Sequence, residues 1–166
     1  GVVSVEKWHQ SMKEELQQSY EEDAEETVRN DLVQAAIDAC EISGYPKSLY
    51  KQKKQEAESG YQSYADMFHC SLDEVYDMLD LDEAAREEEY VDAVDETMVL
   101  AEIRRQENLT LSDDQMQARM EAYAQENEYD SVSDLLTDYD ENGLKEYILN
   151  EYTIDYLEEH AAIIEK

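Results

Sequence analysis

Residues 5–39 carry the clearest secondary-structure signal of the chain and read VEKWHQSMKEELQQSYEEDAEETVRNDLVQAAIDA. Their first half places large apolar side chains at every fourth position: Trp8, Met12, Leu16 and Tyr20. Because an α-helix turns once in about 3.6 residues, this spacing predicts one long helix whose apolar stripe winds slowly around its axis. The stripe is narrow up to Tyr20 and widens from Val28 onward. We therefore expect the helix to project at first and to enter the body of the domain near Val28.

The remainder of the chain also favours helix over strand. Only four Gly and one Pro occur in 166 residues, helix-forming residues dominate, and runs of β-branched residues are absent. Gly44 and Pro46 predict the end of the first helix and the start of the second. Capping boxes that begin at Ser71 and Ser112 predict two later helix starts. These features together predict an all-α fold.

The helices follow a loosely repeated order. A medium helix, a short serine-capped helix and a long helix occur after Pro46 and again after Ser112, with Ser71 and Ser131 in equivalent positions. We predict one extended multi-helix domain over residues 1–166 with two similar helical arms. Its parts are a linker helix over residues 4–40 with Ser4 as N-cap, a first arm and long helix over residues 46–107, and a second arm and closing helix over residues 112–166.

The chain carries a formal net charge of −31, from 13 Lys and Arg against 44 Asp and Glu. Such a charge repels phosphate backbones and anionic lipid headgroups, since both bind clustered Lys and Arg. The one basic cluster, formed by Lys51, Lys53 and Lys54, is too small to reverse this effect. No stretch approaches the roughly 20 apolar residues of a membrane span. We therefore expect no nucleic-acid partner and no membrane insertion.

The segment Asp138-x-Asp140-x-Asn142-Gly143 has the spacing with which an EF-hand loop begins. An EF-hand needs a bidentate Glu at its twelfth position, and Leu149 occupies that position here. The segment therefore reads as an acidic loop in which Asn142 and Gly143 connect two helices. We predict no metal site.

Cys40 and Cys70 lie far apart in the sequence and lack the spacing of metal ligands or redox pairs. Two interpretations stay open for them, a pair of idle thiols or a disulfide. The His residues His9, His69 and His160 form no zinc-binding pattern. Neither a glycine-rich phosphate loop nor a nucleophile motif occurs, and acidic pairs are too frequent to single out a catalytic one. We predict no catalytic residue, no cofactor and no enzymatic activity for this segment.

The chain contains 13 Tyr but only one Phe, together with six Met. Tyr packs its ring while its hydroxyl stays in water, and Met adapts its shape to varied partners. These residues either complete a thin core or line a shallow amphipathic groove that holds apolar segments of other proteins. The candidate residues of such a groove are Tyr61, Tyr64, Met67 and Phe68 on the first arm, and Met116, Met120 and Tyr123 on the second.

Several short segments occur in a particular order: Val5-Glu6-Lys7-Trp8, Arg29-Asn30-Asp31-Leu32-Val33-Gln34-Ala35, Glu41-Ile42, Tyr45-Pro46-Lys47-Ser48-Leu49, Leu109-Thr110-Leu111-Ser112-Asp113-Asp114-Gln115-Met116, Asn142-Gly143-Leu144-Lys145-Glu146 and Ile154-Asp155-Tyr156-Leu157. In this order and spacing, over nearly the whole chain, the sequence resembles the C-terminal domain of bacterial trigger factor, a ribosome-associated chaperone. The resemblance implies a cradle of helices with two protruding arms that holds unfolded or nascent polypeptides without ATP.

The resemblance also implies what lies outside this segment. Members of the family carry a peptidyl-prolyl cis-trans isomerase domain and a ribosome-docking domain, and neither is found in these residues. We therefore expect contact with the ribosome only through a domain missing here, and a monomer or weak dimer. The family points to the cytoplasm, while related chaperones leave an extracytoplasmic, lipid-anchored or secreted protein open.

A second function is compatible with the charge. The acidic runs Glu21–Glu26 and Glu87–Glu89 are typical of solvated helix faces, but an acidic helix can also imitate a phosphate row. The alternative is therefore an acidic helical adaptor, or nucleic-acid mimic, that binds a basic protein partner. High salt weakens a complex of that kind more than one held by apolar contacts.

Overall fold

The computed structural model describes residues 5–161, with no side-chain description for Val5, Glu6, Glu15 and Glu22. Within this range all regular structure is helical, which confirms the predicted all-α fold. The predicted cap Ser4 and the end of the predicted closing segment, residues 162–166, lie outside the described residues. The helices in this range are α1 (Val5–Asp38), α2 (Lys47–Phe68), α3 (Leu72–Met78), α4 (Glu83–Glu107), α5 (Asp113–Glu126), α6 (Val132–Asp138) and α7 (Glu141–His160).

Helices α4 and α7 pack against each other in the middle of the domain, and α1 packs against both. On one side α2 packs on α4 and carries α3, and on the other side α5 packs on α7 and carries α6. We call α2 with α3 the first arm and α5 with α6 the second arm. Each arm thus rests on one of the two central helices, and α1 rests on the pair.

Much of the apolar core of the described residues lies in three small clusters. Leu100, at the centre of one cluster, joins Val33 of α1 and Ile154 of α7 to α4. The first arm has a cluster built from Tyr61, Ala65, Val75 and Tyr76. The second arm has one built from Met120, Ala124, Leu135, Leu144 and Ile148. Each arm therefore has its own core, in addition to the one that holds the central helices together.

Local signals place most of the helix starts correctly. The hydroxyl oxygen of Ser71 accepts a hydrogen bond from the Glu74 amide, and the Glu74 carboxylate accepts one from the Ser71 amide at 2.8 Å. Ser112 and Gln115 make the equivalent pair, with 2.9 Å between the Ser112 amide and Gln115 Oε1. Both predicted capping boxes are thus confirmed, and each contributes about 1 kcal/mol.

The long helix of each arm ends in the same way. His69 follows α2 and Glu128 lies just beyond α5, and both adopt left-handed backbone conformations, with φ of 54° and 62°. Beyond each of them, an amide reaches back five residues to a buried alanine, which is the Schellman arrangement. The bonds run from the Cys70 amide to the Ala65 carbonyl at 3.0 Å and from the Tyr129 amide to the Ala124 carbonyl at 2.8 Å. Helices α3 and α4 end in the same way, at Asp80 and Asn108, so this ending does not single out the two arms.

The N-terminal half of α1 is exposed and its C-terminal half is docked. Trp8 and Tyr20 are 55% and 71% exposed, whereas Val33 is buried against Leu100 and Ile154. The prediction that this helix first projects and then enters the body is confirmed. At 1.5 Å per residue, the exposed part from Lys7 to about Ala24 extends for about 27 Å.

The last helix begins at Glu141, so the interpretation of Asn142 and Gly143 as a connecting loop is wrong. Asp140 is its N-cap and accepts a hydrogen bond from the Gly143 amide at 2.9 Å, so Asn142 and Gly143 belong to the first turn of α7 rather than to a connecting loop. Asp138 ends α6 and accepts a hydrogen bond from the Tyr129 hydroxyl at 3.0 Å. The EF-hand-like spacing therefore serves helix capping, which also favours carboxylates at this position.

Candidate functional site

The end of α2 presents three large apolar side chains to solvent. Tyr64, Met67 and Phe68 are 52%, 68% and 62% exposed, and all three lie near the C-terminal end of α2. Their spacing of three and four residues places them on one face of the helix. The rings of Tyr64 and Phe68 stack with centroids 6.5 Å apart and an interplanar angle of 2°. This set, which we call the tip surface, is a continuous apolar patch.

The fourth candidate on this arm, Tyr61, lies in the core instead. Its ring packs edge-on against Tyr76 with centroids 5.4 Å apart, and its hydroxyl donates a hydrogen bond to Glu89 on α4. Burial, together with this hydrogen bond, raises the pKa of Tyr61. Tyr61 therefore fastens α2 to its neighbours and is not available at the surface.

The predicted groove residues of the second arm are also mostly buried or half-buried. Met120 is buried in the arm's core, and Met116 packs against the same cluster with part of its surface exposed. Tyr123 is half-buried and contacts two further tyrosines, Tyr139 at 6.3 Å and Tyr147 at 5.3 Å between ring centroids. The structure thus gathers three tyrosines between the second arm and α7, a grouping that the sequence alone did not indicate.

A cavity of about 590 Å³ lies between α1, α4 and α7. Its apolar floor includes Val33, Ile37 and Ile154 beside the ring of Tyr147. The polar lining consists of Glu25, Glu26, Arg29, Asn30, Gln34, Asp92, Glu96 and Glu151. This cavity is therefore amphipathic with a predominantly acidic polar part, and none of the residues predicted to line a groove borders it.

A second cavity, of about 720 Å³, separates the two arms. Residues of α2 including Gln52, Ser59 and Gly60 form one wall, and Asp138 and Tyr139 at the end of α6 belong to the opposite wall. The arms thus face each other across a gap lined by polar groups. Neither Tyr64 nor Phe68 lines this gap, so the tip surface is a separate feature.

Acidic side chains of α4 are held in unfavourable surroundings near the first cavity. Burial raises the pKa of Glu96, and Glu151 raises it further, although Lys53 acts in the opposite direction. Burial likewise raises the pKa of Asp95, and Asp92 adds to this effect. Asp95 Oδ1 is buried and has no hydrogen-bond partner among the described residues. These carboxylates reflect the crowding of negative charge where the helices meet.

Arg29 is a residue of this site that sequence analysis missed. It lies on the cavity wall and binds carboxylates of α7, including Glu151 at 2.8 Å. The available signal was that Arg29 is the one Lys or Arg in the sequence between Lys13 and Lys47. A single cation in such an acidic stretch is expected to have acidic partners when its helix docks.

The remaining sulfur and imidazole groups do not form a site. Cys40 is exposed and Cys70 half-buried, and both are free thiols, so the disulfide interpretation is not supported. In residues 5–161, no group of three or more His, Cys, Asp or Glu side chains is placed to hold a metal ion.

The helices in this part of the chain also include none with the length and apolar character needed to cross a bilayer.

Comparison with known proteins identifies the family. The family model described as the C-terminus of bacterial trigger factor protein matches residues 4–159. No individual curated protein and no solved structure matched the chain significantly. The family match covers nearly the whole sequence and agrees with the all-helical structure. The chain therefore belongs to the family of the bacterial trigger factor C-terminus, which is a chaperone family.

Proposed function

We propose that this domain is an ATP-independent chaperone that holds unfolded or nascent polypeptide segments at its arms. Membership of the trigger factor family supports a chaperone role, and the tip surface supports a way of binding. The first arm exposes Tyr64, Met67 and Phe68 although the chain contains only one Phe and six Met in 166 residues. These three large apolar side chains lie together in water, and such patches mark interaction sites.

The mode of binding follows from the chemistry of these surfaces. Apolar client segments would pack on the tip surface, and their polar flanks would lie along the acidic walls beside Tyr147 and Tyr123. Tyr and Met make contacts that tolerate varied side chains. Binding of clients would therefore be weak and quickly reversible, and the contacts would stay partly hydrated. The net charge of −31 would keep complexes with clients from aggregating.

The domain acts in this proposal without catalysis. We infer that isomerase activity and ribosome docking, if a longer chain carries them, belong to other parts of it. The family favours a cytoplasmic location for the chaperone. The proposed client contacts are Tyr64, Met67 and Phe68, with Met116 and Tyr123 as partly exposed contacts on the second arm. Tyr61 and Met120 have a supporting role because they form the cores of the arms.

The test is suppression of aggregation of a chemically denatured model protein diluted into buffer. The wild-type domain should slow light scattering at a few-fold molar excess. The triple variant Tyr64→Ser, Met67→Ser and Phe68→Ser should require about tenfold more protein for the same effect, because it loses the apolar patch. Helix content measured by circular dichroism should not change, since all three side chains are exposed.

A matched control keeps the number of substitutions and the helix. The variant Lys51→Ser, Gln62→Ser and Asp66→Ser changes three exposed polar residues of α2 and leaves the net charge unchanged. It should suppress aggregation as well as the wild type does. A tip variant that retains full activity would refute the assignment of these residues, and a wild-type domain without activity at any ratio would refute the chaperone proposal.

The acidic walls favour one alternative, an adaptor that binds a basic protein partner. Glu25, Glu26, Asp92 and Glu151 lie around the first cavity and would attract Lys- or Arg-rich segments. Salt distinguishes the two functions. Holding of apolar segments should persist at about 0.5 M salt, where screening extends over only a few ångströms, whereas a complex held by charge should dissociate.

A further inference from the structure

The N-terminal half of α1 has an apolar face that the described structure leaves in water. Trp8, Met12, Leu16 and Tyr20 lie four residues apart and all are exposed. The apolar contacts that dock α1 onto α4 and α7 come from Val33 and Ile37, 13 or more positions beyond Tyr20. A stripe of four large side chains on a projecting helix is a candidate interaction surface.

The order of side chains in this stripe fits a second copy of itself. The stripe runs Trp, Met, Leu, Tyr, with an aromatic residue at each end and an aliphatic or thioether residue at each inner position. If two α1 helices lie antiparallel and are centred on residue 14, Trp8 meets Tyr20 of the other copy and Met12 meets its Leu16. Each contact then occurs twice, as required in an interface with twofold symmetry.

The charges beside the stripe favour the same orientation. Basic side chains lie near the start of the stripe, at Lys7, His9 and Lys13. Acidic side chains lie near its end, at Glu21 and Asp23. An antiparallel pair brings the basic end of each helix to the acidic end of the other. A parallel pair would place like charges side by side, which is unfavourable.

We propose that a second copy of this chain docks on the exposed face of α1 and forms an antiparallel helix pair centred on residue 14. The contact is small and the molecules carry a charge of −31 each, so the dimer is weak and salt strengthens it by screening their repulsion. The arms and the tip surface take no part in this contact. The proposal is therefore independent of the chaperone function.

Sedimentation velocity of the 166-residue chain over a range of concentrations tests the dimer. The average mass should rise from 19.3 kDa toward twice that value as concentration increases. Emission of Trp8, the one tryptophan of the chain, should shift to shorter wavelength over the same range because dimerisation removes it from water. Leu16→Glu should raise the dissociation constant at least about tenfold, since it places a charge in the middle of the contact.

Gln18→Glu is the matched control for charge. Gln18 lies two residues from Leu16 and therefore on the opposite side of the helix, so this variant should dimerise within about threefold of the wild type. Circular dichroism should show the same helix content for both variants. A chain that stays monomeric at all concentrations, or a dimer that Leu16→Glu does not weaken, would overturn the proposal.

Disulfide trapping tests the orientation. In a background with Cys40→Ser and Cys70→Ser, oxidation of a mixture of Met12→Cys and Leu16→Cys chains should give mainly the mixed dimer. Residue 12 is opposite residue 16 of the other copy in the antiparallel pair. Two copies of residue 12 each lie about 3 Å from the centre on opposite sides, so they are separated by about 6 Å along the axis in addition to the sideways distance between the helices, which is too far for a disulfide. Efficient trapping of Met12→Cys with itself would indicate a parallel pair and would contradict the model of the contact.

Discussion

Arg29 on α1 and Asp155 on α7 form an ion pair of 3.2 Å between residues 126 positions apart in the sequence. The second oxygen of Asp155 binds Arg119 on α5 at 3.1 Å. Arg29 also reaches Glu151 at 2.8 Å and Glu158 at 2.6 Å, so three carboxylates of α7 surround one guanidinium. Asp155 thus joins the linker helix and the second arm to the same face of α7. The position of α1 on the domain depends on this group of charges as well as on apolar packing.

Arg29→Gln should loosen the docked half of α1. The substitution leaves three carboxylates without their shared cation, and the lost charge-assisted hydrogen bonds at this partly exposed site are worth about 1–2 kcal/mol. Amide hydrogen exchange should accelerate about tenfold in residues 25–38 and much less in the arms. Lys13→Gln removes the same charge from the exposed half of α1 and should leave exchange in residues 25–38 unchanged. Equal effects of the two variants would show that overall charge, rather than this contact, holds the helix.

The helix boundaries could be predicted from sequence wherever a local signal decides them. Ser71 and Ser112 begin capping boxes whose partners lie three residues away, so short segments contain the whole interaction. Asn142 and Gly143 read as a connecting loop because these residue types are common in turns, whereas both lie in the first turn of α7, which Asp140 caps. The pairing of Arg29 with Asp155 has no local signal at all, since it depends on how distant helices dock.

Glu128→Gly should stabilise the second arm. Glu128 adopts φ of 62°, a conformation that costs a residue with a Cβ atom about 1 kcal/mol and costs glycine almost nothing. Part of this gain is lost because glycine makes the unfolded chain more flexible, so we expect a net gain of about 0.5–1 kcal/mol in urea unfolding. Gln117→Gly, at an exposed position inside α5, should instead cost about 1 kcal/mol. A loss of stability in both variants would contradict the role assigned to the left-handed cap.

Gly60→Ala should also stabilise the protein. Gly60 lies inside α2, and a Cβ atom added there meets no other atom within 4 Å. Alanine favours the helix over glycine by about 0.5–1 kcal/mol, so unfolding should shift upward by about 1–4 °C for a domain of this size. Gly44→Ala is the control with the opposite sign, because Gly44 has φ of 154°, which is strained for other residues. An unchanged or lower melting temperature for Gly60→Ala would indicate that the helix needs flexibility at this position.

The client-facing residues illustrate where sequence patterns stop being informative. Tyr61 and Ala65 are spaced by four, as are Tyr64 and Phe68, so both pairs read as apolar stripes on α2. The rotation of α2 about its own axis decides which pair packs against α3 and α4, and only the folded structure fixes this rotation. It buries Tyr61 and leaves Tyr64 and Phe68 exposed. The sequence therefore predicts that α2 is amphipathic, but it does not predict which of these aromatic side chains are exposed.

Glu96→Gln should stabilise the domain at neutral pH and lose this advantage in acid. Burial raises the pKa of Glu96 in the folded protein above its ordinary value of 4.5. The folded state therefore holds a proton that the unfolded state releases, so the wild type loses stability as pH rises from about 4.5 through the folded pKa. Glutamine avoids the buried charge, so the two proteins should differ most near pH 7 and converge below about pH 4.5 in urea unfolding. Glu88→Gln, at an exposed position of the same helix, should change stability by less than about 0.5 kcal/mol at both pH values. A Glu96→Gln variant that is less stable than the wild type at pH 7 would mean that attraction to the nearby charge of Lys53 outweighs the burial of the carboxylate.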